Sequence, residues 1–600
     1  MDNGVLDVRN VCFGYDAAEQ PVLTNVTFRV QTGELLLIMG ASGAGKSTLA
    51  LTLNGLIPHA VQGSYEGDVR IAGRSTSEAT VGELAMHVGM VFQDPEAQLV
   101  AFTVEDEVAF GLENLCLDRE EMERRITQSL AEVGLSDQRK KAVEHLSGGQ
   151  KQRLAIASVL AMQPQVIVLD EPTALLDPAG RAEVFAVIER LKQGGRQALV
   201  LVEHHLDECI GLADRVLVLG KTGEVIAEGE PRRVFSESYE RLCEEGVFLP
   251  ETVRLSKELG LSPVALCADE VAEQIGKRLG NGFAFGSLIQ EKSWSEGARP
   301  AACAEQRADA GRSASSEDEA GVPLLAIREG MLSRAASGVL QKSVGALTIS
   351  SGELLAIAGA NGAGKTTLAL HLMGLLPAHK GALFLSGKDM TGLSMAELVR
   401  NIGFVFQNPE HQFVAETAER ELVVGMPERD EEQARVQAQS LLQRFGLASA
   451  AGRSPYQLSQ GEKRRLSVAT MLTEERKVLI LDEPTFGQDQ KNAREIMQML
   501  QSLQREGVAI VLITHALWLL AEYADRVAVL AKGKLVFHGT ADRLFSQPEL
   551  LKQASLRLPP AAEMAQKLSV YDSRLAGIAT YENVRAGCLR LLGERTGVEA

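Results

Sequence analysis

The chain has 600 residues, 45% of them apolar and 23% charged, with a formal net charge of −18. That length exceeds what one hydrophobic core organises, so two or more domains are expected, and the acidic surplus argues against a broad nucleic-acid footprint. No apolar run nears the roughly 18–20 residues that a membrane-spanning helix needs. The opening "MDNGVLDVRN" has no basic region leading into an apolar one, so no signal peptide is expected. Seven scattered cysteines (Cys12, Cys116, Cys209, Cys243, Cys267, Cys303, Cys588) form no C-x-x-C pair, the pattern of reduced thiols in a cytoplasmic protein.

Along the first half, short β-branched runs alternate with amphipathic stretches, the order of a parallel sheet with helices on both faces. The strand run "LLLIM" leads into "GASGAGKST", Gly40 to Thr48, which fits G-x-x-x-x-G-K-[ST]. Glycines let backbone N–H groups approach phosphate oxygens, and the helix that follows adds positive potential at its N-terminus. Gly40, Ser42, Gly43, Gly45 and Thr48 are therefore candidate nucleotide-binding residues, with Lys46 reaching the β- and γ-phosphates and Ser47 binding Mg²⁺. Gln93 follows a "VF" run; a neutral amide there can touch the cation and water, then let go when its loop moves. Residues 119–134 read as a charged helix stopped by Gly134, a helical insertion. Asp170 and Glu171 end the strand "VIVL": the aspartate suits Mg²⁺ and the glutamate suits an attacking water. His204 follows "ALVLVE" and can donate to a γ-phosphate, while His205 reads as an exposed helix-start residue.

The second half repeats the first. "GANGAGKTT" supplies Gly359, Asn361, Gly362, Gly364, Lys365, Thr366 and Thr367; "VFQNPE" supplies Gln407; "VLILDEPT" supplies Asp482 and Glu483; "AIVLITH" supplies His515. Two phosphate loops, each after a strand and before a helix, leave chance a negligible account. The expected organisation is a first domain over 1–285, a flexible Ala/Gly/Ser-rich and charged linker over 286–322, and a second domain over 323–600. Trp294, in that linker, is taken as incidental.

One phrase lies far from the phosphate loop of its own half: "LSGGQKQR" at 146–153 and "LSQGEKRR" at 458–465. With the loop, the glutamine, "LDEP" and the terminal histidine, it resembles the ABC-type ATPases over nearly all of both halves. The resemblance implies two nucleotide-binding domains of P-loop α/β fold, each with a helical insertion and an antiparallel β edge, closing head to tail over two ATP molecules. Ser147, Gly148, Gly149 and Gln150 would then complete the Lys365 site, and Ser459, Gln460, Gly461 and Glu462 the Lys46 site. Ser plus Gly opening a helix is an anion cradle, and the basic run behind it is expected to add longer-range attraction. Asp177 and Asp489 match the family's aspartate that touches the partner domain. Tyr15 matches its adenine-stacking aromatic, and Arg334 stands at the counterpart position. Base stacking on an aromatic contributes roughly 1–3 kcal/mol, so weaker nucleotide binding is expected at the Lys365 site, with hydrolysis at both.

The stretches "FQDPEAQLVAFTVEDEVAFGLENL" at 92–115 and "FQNPEHQFVAETAERELVVG" at 406–425 are similar to the ATPases of energy-coupling-factor importers. That resemblance implies a transmembrane coupling subunit gripped through Leu99, Val100, Phe102, Val104, Phe413 and Val414, a substrate-binding membrane subunit, and a peripheral place on the cytoplasmic face of the membrane. It implies cargo that is a vitamin, a vitamin precursor such as that of thiamine, or a metal ion. A tandem ATPase of a sugar-type importer is the nearer alternative, although such proteins often carry one degraded phosphate loop. A tandem translation factor is the other; its linker is typically basic, whereas 286–322 holds four basic against seven acidic residues.

Overall fold

The computed structural model describes residues 4–16, 20–280, 323–328, 330–332, 341–426, 430–472, 476–485 and 490–596. The chain forms two compact units, Met1–Gln274 and Ile275–Ala600. The linker expected over 286–322, Arg334 and Asp489 lie outside the described residues.

Each unit is built on a six-stranded sheet of the same order. In the first unit it runs Val225–Gly229, Arg215–Leu219, Leu35–Gly40, Ala198–Val202, Val166–Asp170, Val88–Val91. In the second it runs Lys534–Gly539, Arg526–Ala531, Leu354–Ala358, Ala509–Ile513, Val478–Asp482, Ile402–Val405. Five strands are parallel and the outermost pairs antiparallel, the expected β edge. The continuous apolar runs follow from burial on both faces. Leu35, Leu37 and Met39 join one core while Leu36 and Ile38 join another; Leu354, Ala356 and Ala358 part from Leu355 and Ile357 in the same way. A separate antiparallel sheet, led by Leu6–Tyr15 in the first unit and Leu325–Ile327 in the second, covers one face.

The expected insertion is present in both units. Arg119–Glu132 and Glu431–Arg444 are the charged helices, ended by Gly134 and Gly446 at φ 69° and 63°. They pack with the helices Gly148–Ala161 and Gln460–Thr470, which begin in the two "LS-x-G" phrases. The tails "LPET" and "LPPA" lead into helices Glu251–Glu258 and Pro560–Leu568. Among the described residues, no helix is long and apolar enough to cross a membrane.

Candidate functional site

In a parallel sheet all strands point their C-terminal ends at one edge, where ligands of such folds bind. Three of the central strands deliver the predicted residues there. The strand Leu35–Gly40 turns into helix Lys46–Leu53 through Gly45, whose φ of 87° no side chain adopts cheaply and whose added Cβ would meet the Val22 carbonyl at 2.8 Å. Gly364 does the same at φ 100° before helix Lys365–Leu372. With glycine at the cap, no side chain competes for the first helical N–H groups. The Lys46 ammonium folds back to donate to the carbonyls of Gly40 (3.0 Å) and Ala41 (2.9 Å), and Lys365 to Gly359 (2.8 Å) and Ala360 (3.1 Å). A buried ammonium resting on loop carbonyls is a donor held ready for stronger acceptors, which phosphate oxygens are.

Behind each loop stand the strand-end acids. The Ser47 hydroxyl donates to Asp170 Oδ1 at 3.1 Å, and the Thr366 hydroxyl to Asp482 Oδ2 at 2.8 Å. A hydroxyl beside a carboxylate is a hard, oxygen-only donor set of the kind Mg²⁺ takes together with substrate phosphates, so the residues present fit that ion. Glu171 and Glu483 follow in the left-handed backbone region, φ 47° and 49°, a conformation costing of order 1–3 kcal/mol. His204 Nε2 lies 2.8 Å from Glu171 Oε1, and His515 Nδ1 2.9 Å from Glu483 Oε1. In the first unit the Gln93 amide also donates to Glu171 Oε2 at 3.0 Å. Among the described residues no such bond joins Gln407 to Glu483, whose second oxygen accepts the His515 backbone N–H at 3.3 Å.

The two acids of each pair are driven apart electrostatically. Burial, aided by the charge of Glu171, raises the Asp170 carboxyl to about 6, and burial likewise raises Asp482. Burial pushes the glutamates up as well, but their histidines outweigh it, with Lys46 or Lys365 adding to the effect, and both end below the ordinary range. Each pair thus holds one carboxyl whose ionisation burial opposes, beside one that its histidine and lysine keep ionised.

Tyr15 stands beside the first loop, its hydroxyl 3.1 Å from that of Thr48 and its ring edge-on to Phe13. Ser147 and Ser459 each cap a helix in a reciprocal box, with Gln150 and Glu462 as the third-residue partners. Gly148, Gly149, Gln460 and Gly461 thereby lie in the first turn of those helices. Asp177 caps helix Pro178–Gly194 through the Gly180 N–H at 2.8 Å. His205 is half-buried at the start of helix Leu206–Cys209, less open than expected.

Two expectations need correction. The basic runs are engaged inside their own units rather than free to attract phosphate: Lys151 pairs with Glu96, Arg153 with Glu183 (3.0 Å), Lys463 with Glu410 (2.6 Å) and Arg465 with Glu495 (3.2 Å). Acids on neighbouring elements, invisible to a reading along the chain, claim them. Of the expected gripping residues, Val104 and Phe413 are core and Leu99 packs against it, leaving Val100 (65% exposed), Phe102 (90%) and Val414 (77%) on the surface. The apolar alternation folds half of the set inward.

Sequence reasoning also missed three carboxylates. Glu107 Oε2 accepts the N–H groups of Val100 and Ala101 at 2.8 and 2.7 Å, and Glu421 Oε2 those of Val414 and Ala415 at 2.9 and 2.7 Å. These buried acids fix the exposed turns; their recurrence at matching places was the available signal. Glu203, buried at the end of its strand, accepts from Thr173 Oγ1 (2.6 Å) and from the N–H groups of His204 (2.8 Å) and His205 (3.2 Å). The second unit has Thr514 there, whose hydroxyl, among the described residues, accepts from the Ala516 N–H at 3.0 Å.

Two outcomes are expected. Below about pH 6, Mg²⁺ must displace the Asp170 proton, so the Mg²⁺ concentration that half-saturates nucleotide binding should rise as pH falls from about 7.5 to 5.5. A midpoint flat across that range, measured by nucleotide fluorescence, contradicts the assignment. Replacing Glu203 with Ala releases the His204 backbone and should cut ATP turnover about 10- to 100-fold, against a smaller loss for Thr514→Ala; equal losses would deny Glu203 its part.

The family model described as ABC transporter matches residues 23–174 and 344–486. The Bacillus subtilis (strain 168) protein YkoD, named provisionally as an HMP/thiamine import ATP-binding protein, is 38% identical over 557 residues, 92% of this chain and 95% of its own. A Methanosarcina acetivorans protein, named provisionally as an ABC transporter ATP-binding protein, is 37% identical over 593 residues, 97% of this chain and 94% of its own. Among solved structures, cbiO1 from Clostridium perfringens, titled as part of the ABC transporter complex cbiONQ, is 33% identical, covers 41% of this chain with 98% of its own, and gives a TM-score of 0.36. With its two matched regions and full-length relatives, the chain belongs to the ATP-binding proteins of ABC transporters, a family that binds and hydrolyses ATP.

Proposed function

We propose that this chain is the energising ATPase of an energy-coupling-factor-type importer whose cargo is a vitamin, a vitamin precursor such as hydroxymethylpyrimidine or thiamine, or a metal ion. The observation that carries this reading is the likeness to YkoD across 92% of the chain, a protein named for HMP/thiamine import. The exposed turns Val100–Phe102 and Val414–Glu416, each pinned by a buried glutamate, support it. A rigid apolar projection such as Phe102 is costly on a free surface and suits a partner's groove. The partners are a transmembrane coupling subunit and a substrate-binding membrane subunit, which place the chain at the cytoplasmic face of the membrane as a peripheral protein.

The site residues divide the work. Lys46 and Lys365 leave their loop carbonyls for the β- and γ-phosphates of ATP, and the N–H groups of each glycine-rich loop take the remaining oxygens. Mg²⁺, held by Ser47 and Asp170 or by Thr366 and Asp482, would neutralise charge on the phosphate oxygens. Glu171 and Glu483 accept the proton of the attacking water; their depressed titration keeps them ionised for it. His204 and His515 orient those glutamates and meet the γ-phosphate. Gln93 and Gln407 touch the cation and the attacking water and let go when their loops move. The two domains, 1–285 and 323–600, close head to tail so that Ser147 to Gln150 cap the phosphate at Lys365 and Ser459 to Glu462 the one at Lys46.

Hydrolysis is tested by Glu171→Gln and Glu483→Gln. Each should lower turnover and the double variant should lose at least about 100-fold; full turnover in the double variant would remove the assignment. Docking is tested by Phe102→Asp: affinity purification from membranes should recover polytopic partners with the parent and not with this variant, while both bind nucleotide. Recovery of ribosomal proteins instead would overturn the importer reading.

A further inference from the structure

Arg464 carries its charge into the interior of the second unit. It stands on helix Gln460–Thr470, only 2% exposed, and no carboxylate among the described residues forms an ion pair with it. Its Nη1 donates to the Phe406 carbonyl at 2.6 Å and its Nη2 to the Gln407 carbonyl at 2.5 Å, while Nε finds no acceptor. Burial lowers this guanidinium to about 10, against the opposing pull of Glu483 and Asp482. An unpaired buried cation is expensive, and a hydrophobic or amide side chain would fill the space at less cost. The first unit shows that alternative: Gln152, at the matching place, donates one neutral bond to the Phe92 carbonyl at 3.2 Å.

We propose that Arg464 is a positioning residue for the second nucleotide site, tying the glutamine loop at Phe406–Gln407 to the signature helix Gln460–Thr470 so that the two move as one body. The proposal rests on the reading that Gln407 and Glu483 serve hydrolysis. Two short charge-assisted bonds from one planar fork fix both successive carbonyls in place and in orientation. The single amide bond of Gln152 fixes one carbonyl and leaves the next free. In the first unit the glutamine side chain rests on Glu171; in the second the loop is held from behind, through its backbone, and Glu483 is held by His515 through both ring and backbone. A phosphate that draws in the Ser459 turn therefore also displaces Gln407. In the first unit, among the described residues, no guanidinium fork joins the signature helix to the carbonyls of Phe92 and Gln93, and Gln152 makes its one amide bond there. Nucleotide capped by the second unit's signature thus governs turnover at Glu483 more strongly than the reverse, an asymmetry permitted for rates though not for equilibrium binding.

The test uses the full chain and measures ATP turnover in two backgrounds, Glu171→Gln, where Glu483 does the work, and Glu483→Gln, where Glu171 does. Arg464→Gln should lower kcat about tenfold in the first background with KM changed less than about twofold, and have little effect in the second. Amide exchange at residues 406–408 should accelerate about tenfold while the strand Val478–Asp482 stays protected. Arg464→Lys keeps the charge without the fork, should fall between parent and Arg464→Gln, and carries the same test if the glutamine variant does not fold. Equal losses of kcat in both backgrounds, or accelerated exchange throughout the strand, would make Arg464 merely structural and overturn the proposal. So would unchanged kcat in the first background. If the Glu171→Gln/Glu483→Gln double variant itself keeps full turnover, the reading of the site falls, and this proposal with it.

Discussion

Two adjacent carboxyl groups, buried together at the end of one strand, set the terms for each unit. Neither can be ionised without regard to the other, and the low-polarity sheet behind them penalises both charges. The fold meets this with different partners: the glutamate, itself in the left-handed region, lies beside a histidine, while the aspartate stays by the loop hydroxyl. One acid is left favouring a nearby cation, and the other stays ionised beside its histidine. The glycine-rich loop, the folded-back lysine and the glutamine all face that division of labour.

The parts of this arrangement that were legible in the sequence are those whose chemistry is local. Gly40 to Thr48 and Gly359 to Thr367 announce a backbone shape and a helix start by residue type alone. Asp170, Glu171, Asp482 and Glu483 are placed by the apolar strands before them, and the repeat fixed which histidine mattered. The parallel sheet and the helical insertion followed from the alternation of strand and helix patterns, whereas the strand order, set by pairings between distant segments, did not. Glu203, Glu107, Glu421 and Arg464 were not legible, because their roles lie in which backbone groups they reach across the fold. Glu107 is one acid among several in an acidic helix until its carboxylate is seen beneath the turn that carries Val100. The basic run at 463–465 misled for the same reason: its charges are fixed by Glu410, Glu495 and two carbonyls far along the chain.

Although the two units share a plan, their centres are built differently. The first holds Glu171 with side chains, Gln93 and His204, and braces the histidine through Glu203. The second holds Glu483 through the ring and backbone of His515 and braces the glutamine loop through Arg464. The exposed turns differ as well, with Phe102 on one and Glu416 at the matching place on the other.

Each sheet edge gathers a loop lysine, a hydroxyl–aspartate pair and a glutamate–histidine pair, and the proposal that the other unit's serine–glycine turn closes over a triphosphate held there is what would convert hydrolysis into motion. Site-directed cross-linking tests it most directly. In a chain cleared of native cysteines and carrying Glu171→Gln and Glu483→Gln, Ser42→Cys is combined either with Gln460→Cys or with Gly148→Cys, and disulfide formation is followed with and without ATP. ATP-dependent cross-linking of the Ser42 and Gln460 positions, with none between Ser42 and Gly148, is the expected result. Cross-linking of Ser42 to Gly148 instead, or to neither with ATP bound, would contradict it.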